Sequence, residues 1–169
     1  MKGDSRALPS EEFALRQLGL DTRHCIKSEE ELLYECNGFG HVPEGIFKHP
    51  KSRKVVSVEV KRIVGNSLPK ECGGRLIRRR KHIVWPWNST VFAAMDKASE
   101  FIVNTYNIQE HHICVVIPDS LNEKACNRLH THILDAMNYY FDVKQTSIKH
   151  KQFHLHIMKG PSELFDRFC

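Results

Sequence analysis

The clearest pattern in the chain is an alternation across residues 54–63. Val56, Val58 and Val60 take the even positions, and Ser57, Glu59 and Lys61 take the odd ones. A period of two belongs to a strand with one face in a core, so this stretch predicts a strand that carries three polar side chains on its other face. Residues 41–48 read as a strand before it, with Pro43 at its start or at a sheet edge, and 49–53 as the turn between the two. Further upstream, Pro9-Ser10-Glu11-Glu12 opens a short helix with Phe13, Leu15 and Leu18 as its apolar members, closed by Leu18-Gly19-Leu20-Asp21. Residues 28–36 admit two readings. Ser28 with Glu31 is a capping box that starts a helix, whereas Leu32 to Cys36 also fits a strand.

Beyond the alternating strand, residues 64–87 form a Gly- and Arg-rich connection of a length usually kept for function. Asn88-Ser89 caps a predicted helix to about 106, with Val91, Ala94, Met95, Ala98, Phe101 and Ile102 on one face. Residues 112–118 are continuously apolar, as an interior strand requires. Ser120 and Glu123 form another capping box, and Cys126, Leu129, Ile133, Met137 and Tyr140 lie along the stripe of the helix that follows. Residues 142–158 predict one or two strands, with Phe153, Leu155 and Ile157 alternating with His154, His156 and Met158. A helix, two or three strands, then helix, strand, helix, strand gives a mixed α/β domain with a single central sheet flanked by helices.

Composition narrows the setting. The 169 residues are 41% hydrophobic and 27% charged, which excludes a disordered tail, a collagen-like chain and a coiled coil. Residues 1–9 read as a flexible leader and 10–169 as a single domain. The sequence contains no apolar window long enough for a membrane span. The start, Met1 to Arg6, has no apolar stretch behind it, so no secretory signal is expected. With six irregularly spaced cysteines, that predicts free thiols and a nuclear or cytoplasmic location. A net charge of +5 is mild and points toward an anionic partner.

The chemistry concentrates on two neighbouring extended segments. Glu59 and Lys61 share one strand face, and a hairpin brings Glu44 beside Glu59, since cross-strand neighbours lie about 5 Å apart. Two carboxylates at that distance repel one another unless a cation intervenes. Hard divalent ions such as Mg²⁺ or Mn²⁺ take oxygen ligands of this kind and keep several waters. A lysine beside such an ion can orient a water or stabilise negative charge on a phosphorane.

With Pro43-Glu44 for the first step and Glu59-Val60-Lys61 for the second, the sequence resembles the PD-(D/E)xK nuclease superfamily, over roughly residues 10–158. The resemblance implies a restriction-endonuclease-like αβββαβ core and metal-dependent hydrolysis of DNA or RNA. It implies Glu44 and Glu59 as metal ligands for Mg²⁺ or Mn²⁺ and Lys61 as the catalytic lysine. It also implies a supporting acid, for which Glu12 and Glu35 both qualify, Glu35 as a further ligand, and support from His24 or His41. The first acid here is Glu rather than the family's Asp.

A second feature follows the alternating strand. Arg75, Arg78, Arg79, Arg80, Lys81 and His82 can neutralise phosphates, and Trp85, with Trp87 close by, can stack on a splayed base. The same arginines also serve as a solvated basic loop or a nuclear-import signal, and the tryptophans as core plugs. His130 and His132 do not share a helix face, but His154 and His156 share a strand face and can hold a metal or line a phosphate groove. The expected partner is nucleic acid, with no membrane, and with a homodimer or a protein partner left open. The alternative to a nuclease is a catalytically inactive domain of the same fold that binds nucleic acid or protein.

Overall fold

The computed structural model describes residues 8–36, 42–62, 78–79, 82–83, 105–124, 126–127, 129–131, 134 and 152–165. The first helix, α1 (Leu8–Gln17), ends as its sequence foretells. Gly19 takes φ +73°, the left-handed conformation that glycine adopts without steric cost. Around it, the N–H of Leu20 donates to the carbonyl of Leu15 at 2.9 Å and that of Gly19 to Arg16 at 3.0 Å. These two bonds close the helix as a Schellman motif and turn Leu20 back into the core.

A short 3-10 turn, Thr22–His24, leads into β1 (Cys25–Ser28) and α2 (Glu29–Glu35). The two readings of 28–36 are decided for the helix. The Ser28 hydroxyl accepts from the N–H of Glu31, and the Glu31 carboxylate accepts from the N–H of Ser28, so the capping box is complete. β1 was not foreseen. It has four residues and no alternation, and it exists by pairing antiparallel with β2 (Gly45–Lys48) across an irregularity between Cys25 and Lys27. β2 is shorter than the predicted 41–48. It turns through 49–54 into β3 (Val55–Arg62), antiparallel, with Phe47 opposite Val56 and Ile46 opposite Ser57.

Arg78–Arg79 (β4) and His82–Ile83 (β5) pair antiparallel as a separate two-stranded element. β6 (Glu110–Pro118) begins two residues before the apolar run and lies parallel to β3, with Glu59 opposite Ile113. Helical residues resume at Glu123 rather than at Ser120, the N–H of Cys126 donating to the carbonyl of Asn122. β7 (Phe153–Gly160) is parallel to β6, with Cys114 opposite His156, and a 3-10 turn at Ser162–Leu164 follows. The result is a mixed α/β fold with one five-stranded sheet in the order β1-β2-β3-β6-β7. Most of the predicted helix from 88 to 106 and the segment 141–151 lie outside the described residues, as do residues 1–7 of the leader.

Strand alternation divides the core between the two faces of this sheet. Val56, Val58, Val60, Cys114 and Val116 pack under Ala14 of α1, with Phe47, Leu20 and Phe165. On the other face Leu32 of α2 packs with Val42, Ile46 and Ile108. Glu59 and Lys61 therefore belong to the face opposite Val58 and Val60. Among the described residues no helix is long and apolar enough to cross a membrane, and Cys25, Cys36, Cys114 and Cys126 are free thiols.

Candidate functional site

Glu59 stands in the middle of β3 and is 1% exposed. Its Oε1 lies 2.7 Å from Nζ of Lys61, two residues along on the same face. A carboxylate this deeply buried is not part of a solvated strand face. Glu44 comes immediately before β2. Its N–H donates to the carbonyl of Val58 at 2.8 Å, and its Oε1 accepts from the N–H of Val60 at 3.3 Å. The β2–β3 register, continued by one residue, sets Glu44 across from Glu59. The hairpin thus brings together the three side chains Glu44, Glu59 and Lys61.

The electrostatics follow from that convergence. Burial and the neighbouring charge of Glu59 push the Glu44 carboxyl from 4.5 up to about 9, with Glu11 and Glu29 adding to the rise and Lys61 opposing it. Burial works against the Lys61 ammonium, but the ion pair with Glu59 and the charges of Glu44 and Glu29 outweigh it, so the Lys61 pKa is raised. Glu11 of α1 is also raised, first by burial and then by Glu29 and Glu59. In effect the Lys61 ammonium offsets part of the mutual repulsion of these carboxylates.

Glu11 and Glu29 were not singled out from the sequence. For Glu11 a signal existed: it lies three residues before buried Ala14 and seven before Leu18, on the helix face that meets the sheet. Its neighbour Glu12 is exposed. Nothing in the sequence marked Glu29. Glu35 closes α2 elsewhere: it pairs with Nζ of Lys27 at 2.6 Å, and it accepts a hydrogen bond from the Tyr106 hydroxyl. His24 is engaged in its own turn, where Nδ1 accepts from the N–H of Asp21 at 3.1 Å. His41 lies outside the described residues.

Among the described residues no three His, Cys, Asp or Glu side chains stand close enough together to hold a metal ion as placed. A magnesium ion, however, is usually bound by one or two carboxylates and keeps its waters. Glu44 and Glu59 are two carboxylates of that kind, and a cation between them would relieve the repulsion that raises the Glu44 pKa.

On the same face Ser57 and His111 share a 2.6 Å hydrogen bond. His111 is 1% exposed, and burial, helped by His112, lowers its pKa from 6.5 to about 4. Of the basic loop, Arg78 and Arg79 form β4; Arg75, Arg80, Lys81, Trp85 and Trp87 lie outside the described residues. Compared with protein-family models, with curated proteins and with solved structures, the chain matches none.

Proposed function

We propose that the domain is a metal-dependent phosphodiesterase acting on nucleic acid, with Glu44 and Glu59 as donors to Mg²⁺ or Mn²⁺ and Lys61 as the catalytic cation. The observation that carries this reading is the convergence of Glu44 on the buried Glu59–Lys61 pair across the β2–β3 hairpin, where burial and the charge of Glu59 raise the Glu44 pKa. A bound divalent ion supplies Lewis acidity and lowers the pKa of its water. The chain's own part is to fix two carboxylates from adjacent strands and an ammonium in one rigid patch. Lys61 stays charged against Glu59 and is suited to stabilise charge on the phosphoryl oxygens. Support for the restriction-endonuclease-like core comes from connectivity: α1, then antiparallel β1, β2 and β3, then β6 parallel to β3. In this reading α2 is an insertion between β1 and β2.

The test is cleavage of single- and double-stranded DNA and RNA by purified protein with Mn²⁺ or Mg²⁺. Wild type is expected to cut, and Glu59→Gln is expected not to. The double exchange Glu59→Gln with Lys61→Met removes both charges together and so guards against a folding defect. Wild-type cleavage no higher than that of these variants would overturn the reading.

A second reading, a binding domain without catalysis, draws on Glu rather than Asp at position 44 and on the arginines of β4. It requires affinity that weakens steeply with salt, with a slope reduced when Arg78, Arg79 and Arg80 are replaced.

A further inference from the structure

On the face of the sheet opposite Glu59, where His112 lies across from Val58, four side chains form one hydrogen-bonded relay. Nζ of Lys54 donates to Oε1 of Glu110 at 2.7 Å. Oε2 of Glu110 lies 2.9 Å from Nε2 of His112, and Nδ1 of His112 lies 2.7 Å from Nε2 of His156. The planes of the two imidazoles agree within 10°. Spacing along β7 associates His156 with His154, but the nitrogens that meet in the fold are those of His112 and His156, diagonal neighbours across β6 and β7.

The relay has a direction. Burial works to raise the Glu110 pKa, but hydrogen bonds from Lys54 and His112 outweigh it and hold the carboxyl at about 2. An ionised carboxylate only accepts, so Nε2 of His112 carries a hydrogen and its lone pair is on Nδ1, facing His156. An imidazole whose far N–H is tied to a carboxylate is the usual form of a metal-binding histidine, because that bond fixes the tautomer and the ring orientation and makes the near nitrogen more basic. Burial lowers the pKa of both rings, that of His156 to about 4 with His112 and His154 adding to the effect, so both are neutral imidazoles, the form that ligates.

Both rings line a cavity of about 820 Å³. A third imidazole, that of His130, is on its wall. His49 lines it too, but both its nitrogens are committed, Nε2 to the Leu18 carbonyl and Nδ1 to the N–H groups of Lys51 and Ser52. As placed, no three described side chains converge on one ion, and the contact between His112 and His156 has room only for a hydrogen. Two nitrogens bonded tetrahedrally to one Zn²⁺ at about 2.0–2.1 Å stand about 3.3 Å apart, so the rings must separate by about 0.6 Å from their present 2.7 Å. The cavity beside them gives the space for that movement and for the waters of an ion.

We propose that Nδ1 of His112 and Nε2 of His156 bind a divalent transition-metal ion of the zinc class at this cavity, with water, or His130 from the wall, completing its shell. Imidazole nitrogen suits Zn²⁺ and its transition-metal neighbours, whereas Mg²⁺ takes oxygen. The hydrogen between the rings leaves Nε2 of His156 as the ion binds and returns to Nδ1 of the same ring, so His156 stays neutral and no proton is released. Glu110 and Lys54 do not touch the ion; they are positioning residues that hold His112 in its ligating tautomer. The site shares no residue with Glu44, Glu59 and Lys61.

Calorimetric titration of the full chain with Zn²⁺ at pH 7, in excess Mg²⁺ to occupy carboxylate sites, tests the proposal. Saturable uptake is expected in wild type. His156→Gln should remove it, and Glu110→Gln should weaken it by at least about tenfold, the lower end of what loss of such an orienting partner costs. Nitrogen-15 spectra of the wild-type imidazoles give a readout that needs no variant and that a purely structural relay would not move. Zn²⁺ should shift Nδ1 of His112 and Nε2 of His156, move the hydrogen of His156 to Nδ1, and leave hydrogen on Nε2 of His112. No saturable uptake by wild type, equal affinity in His156→Gln, or Zn²⁺-induced shifts confined to other histidines would each overturn the proposal.

Discussion

Replacing Glu44 by Gln isolates the cost of the crowded carboxylates. In the unfolded chain this residue titrates near 4.5, and in the fold its proton is held up to about 9. Between those values the folded protein keeps a proton that the unfolded chain has released. The direction is therefore fixed: stability is complete below about pH 4.5 and is lost as pH rises toward 9. Each pH unit in that window costs about 1.4 kcal/mol, so the loss at pH 7 is about 3 kcal/mol as an upper bound. Glutamine is neutral in both states, and its amide oxygen can still accept from the N–H of Val60. Glu44→Gln should therefore raise the unfolding free energy by about 2–3 kcal/mol at pH 7 and leave it unchanged at pH 4. Urea denaturation at several pH values measures both quantities. Millimolar Mg²⁺ or Mn²⁺ should stabilise wild type increasingly as pH rises, because the ion displaces the proton, and should do little for the variant. A variant less stable than wild type at pH 7, or a difference that does not change with pH, would refute the reasoning.

Other expectations are independent of that site. His111 is buried and its pKa is lowered to about 4, so stability should fall as pH drops from about 6.5; in His111→Gln about 2 kcal/mol of that pH-dependent loss should be absent at pH 5, read from urea midpoints at pH 5 and pH 8. Gly19→Ala meets no side chain but forces a left-handed backbone at φ +73°, and should cost about 1 kcal/mol in the same assay. Leu32→Ala empties a fully buried position that ties α2 to β2, and should cost about 2–5 kcal/mol by urea denaturation.

What the sequence made legible was whatever rests on local periodicity. The alternation in β3 places Glu59 and Lys61 on one face, and the short turn through 49–54 makes Glu44 their neighbour; both inferences need only strand geometry and a hairpin. The capping box at Ser28 carried α2 for the same reason. Illegible were features that depend on a partner remote in sequence. β1 has no pattern of its own and is held by β2. His154 and His156 share a face as their spacing says, yet their relation to His112 depends on the parallel β6–β7 register, which no local signal encodes. Glu11 is intermediate: it lies on the stripe with Ala14 and Leu18, but its approach to the charge of Glu59 depends on how α1 crosses the sheet.

The energetics of β3 bear on the function proposed above. A Glu–Lys pair with a fully buried carboxylate is seldom the most stable filling for its volume, because removing two charges from water costs about as much as their attraction returns. Apolar residues at positions 59 and 61 would join the core that Leu32, Val42 and Ile46 form on the same face. Instead the chain adds Glu44 beside the pair and directs the fields of Glu11 and Glu29 toward it, which raises the Glu44 pKa. Each addition makes the folded state less stable at neutral pH. Like charges crowded to this degree are what the proposed metal-dependent function requires of its site. A divalent cation is the simplest species that would turn the repulsion into attraction, and it would do so while leaving Lys61 charged and in place.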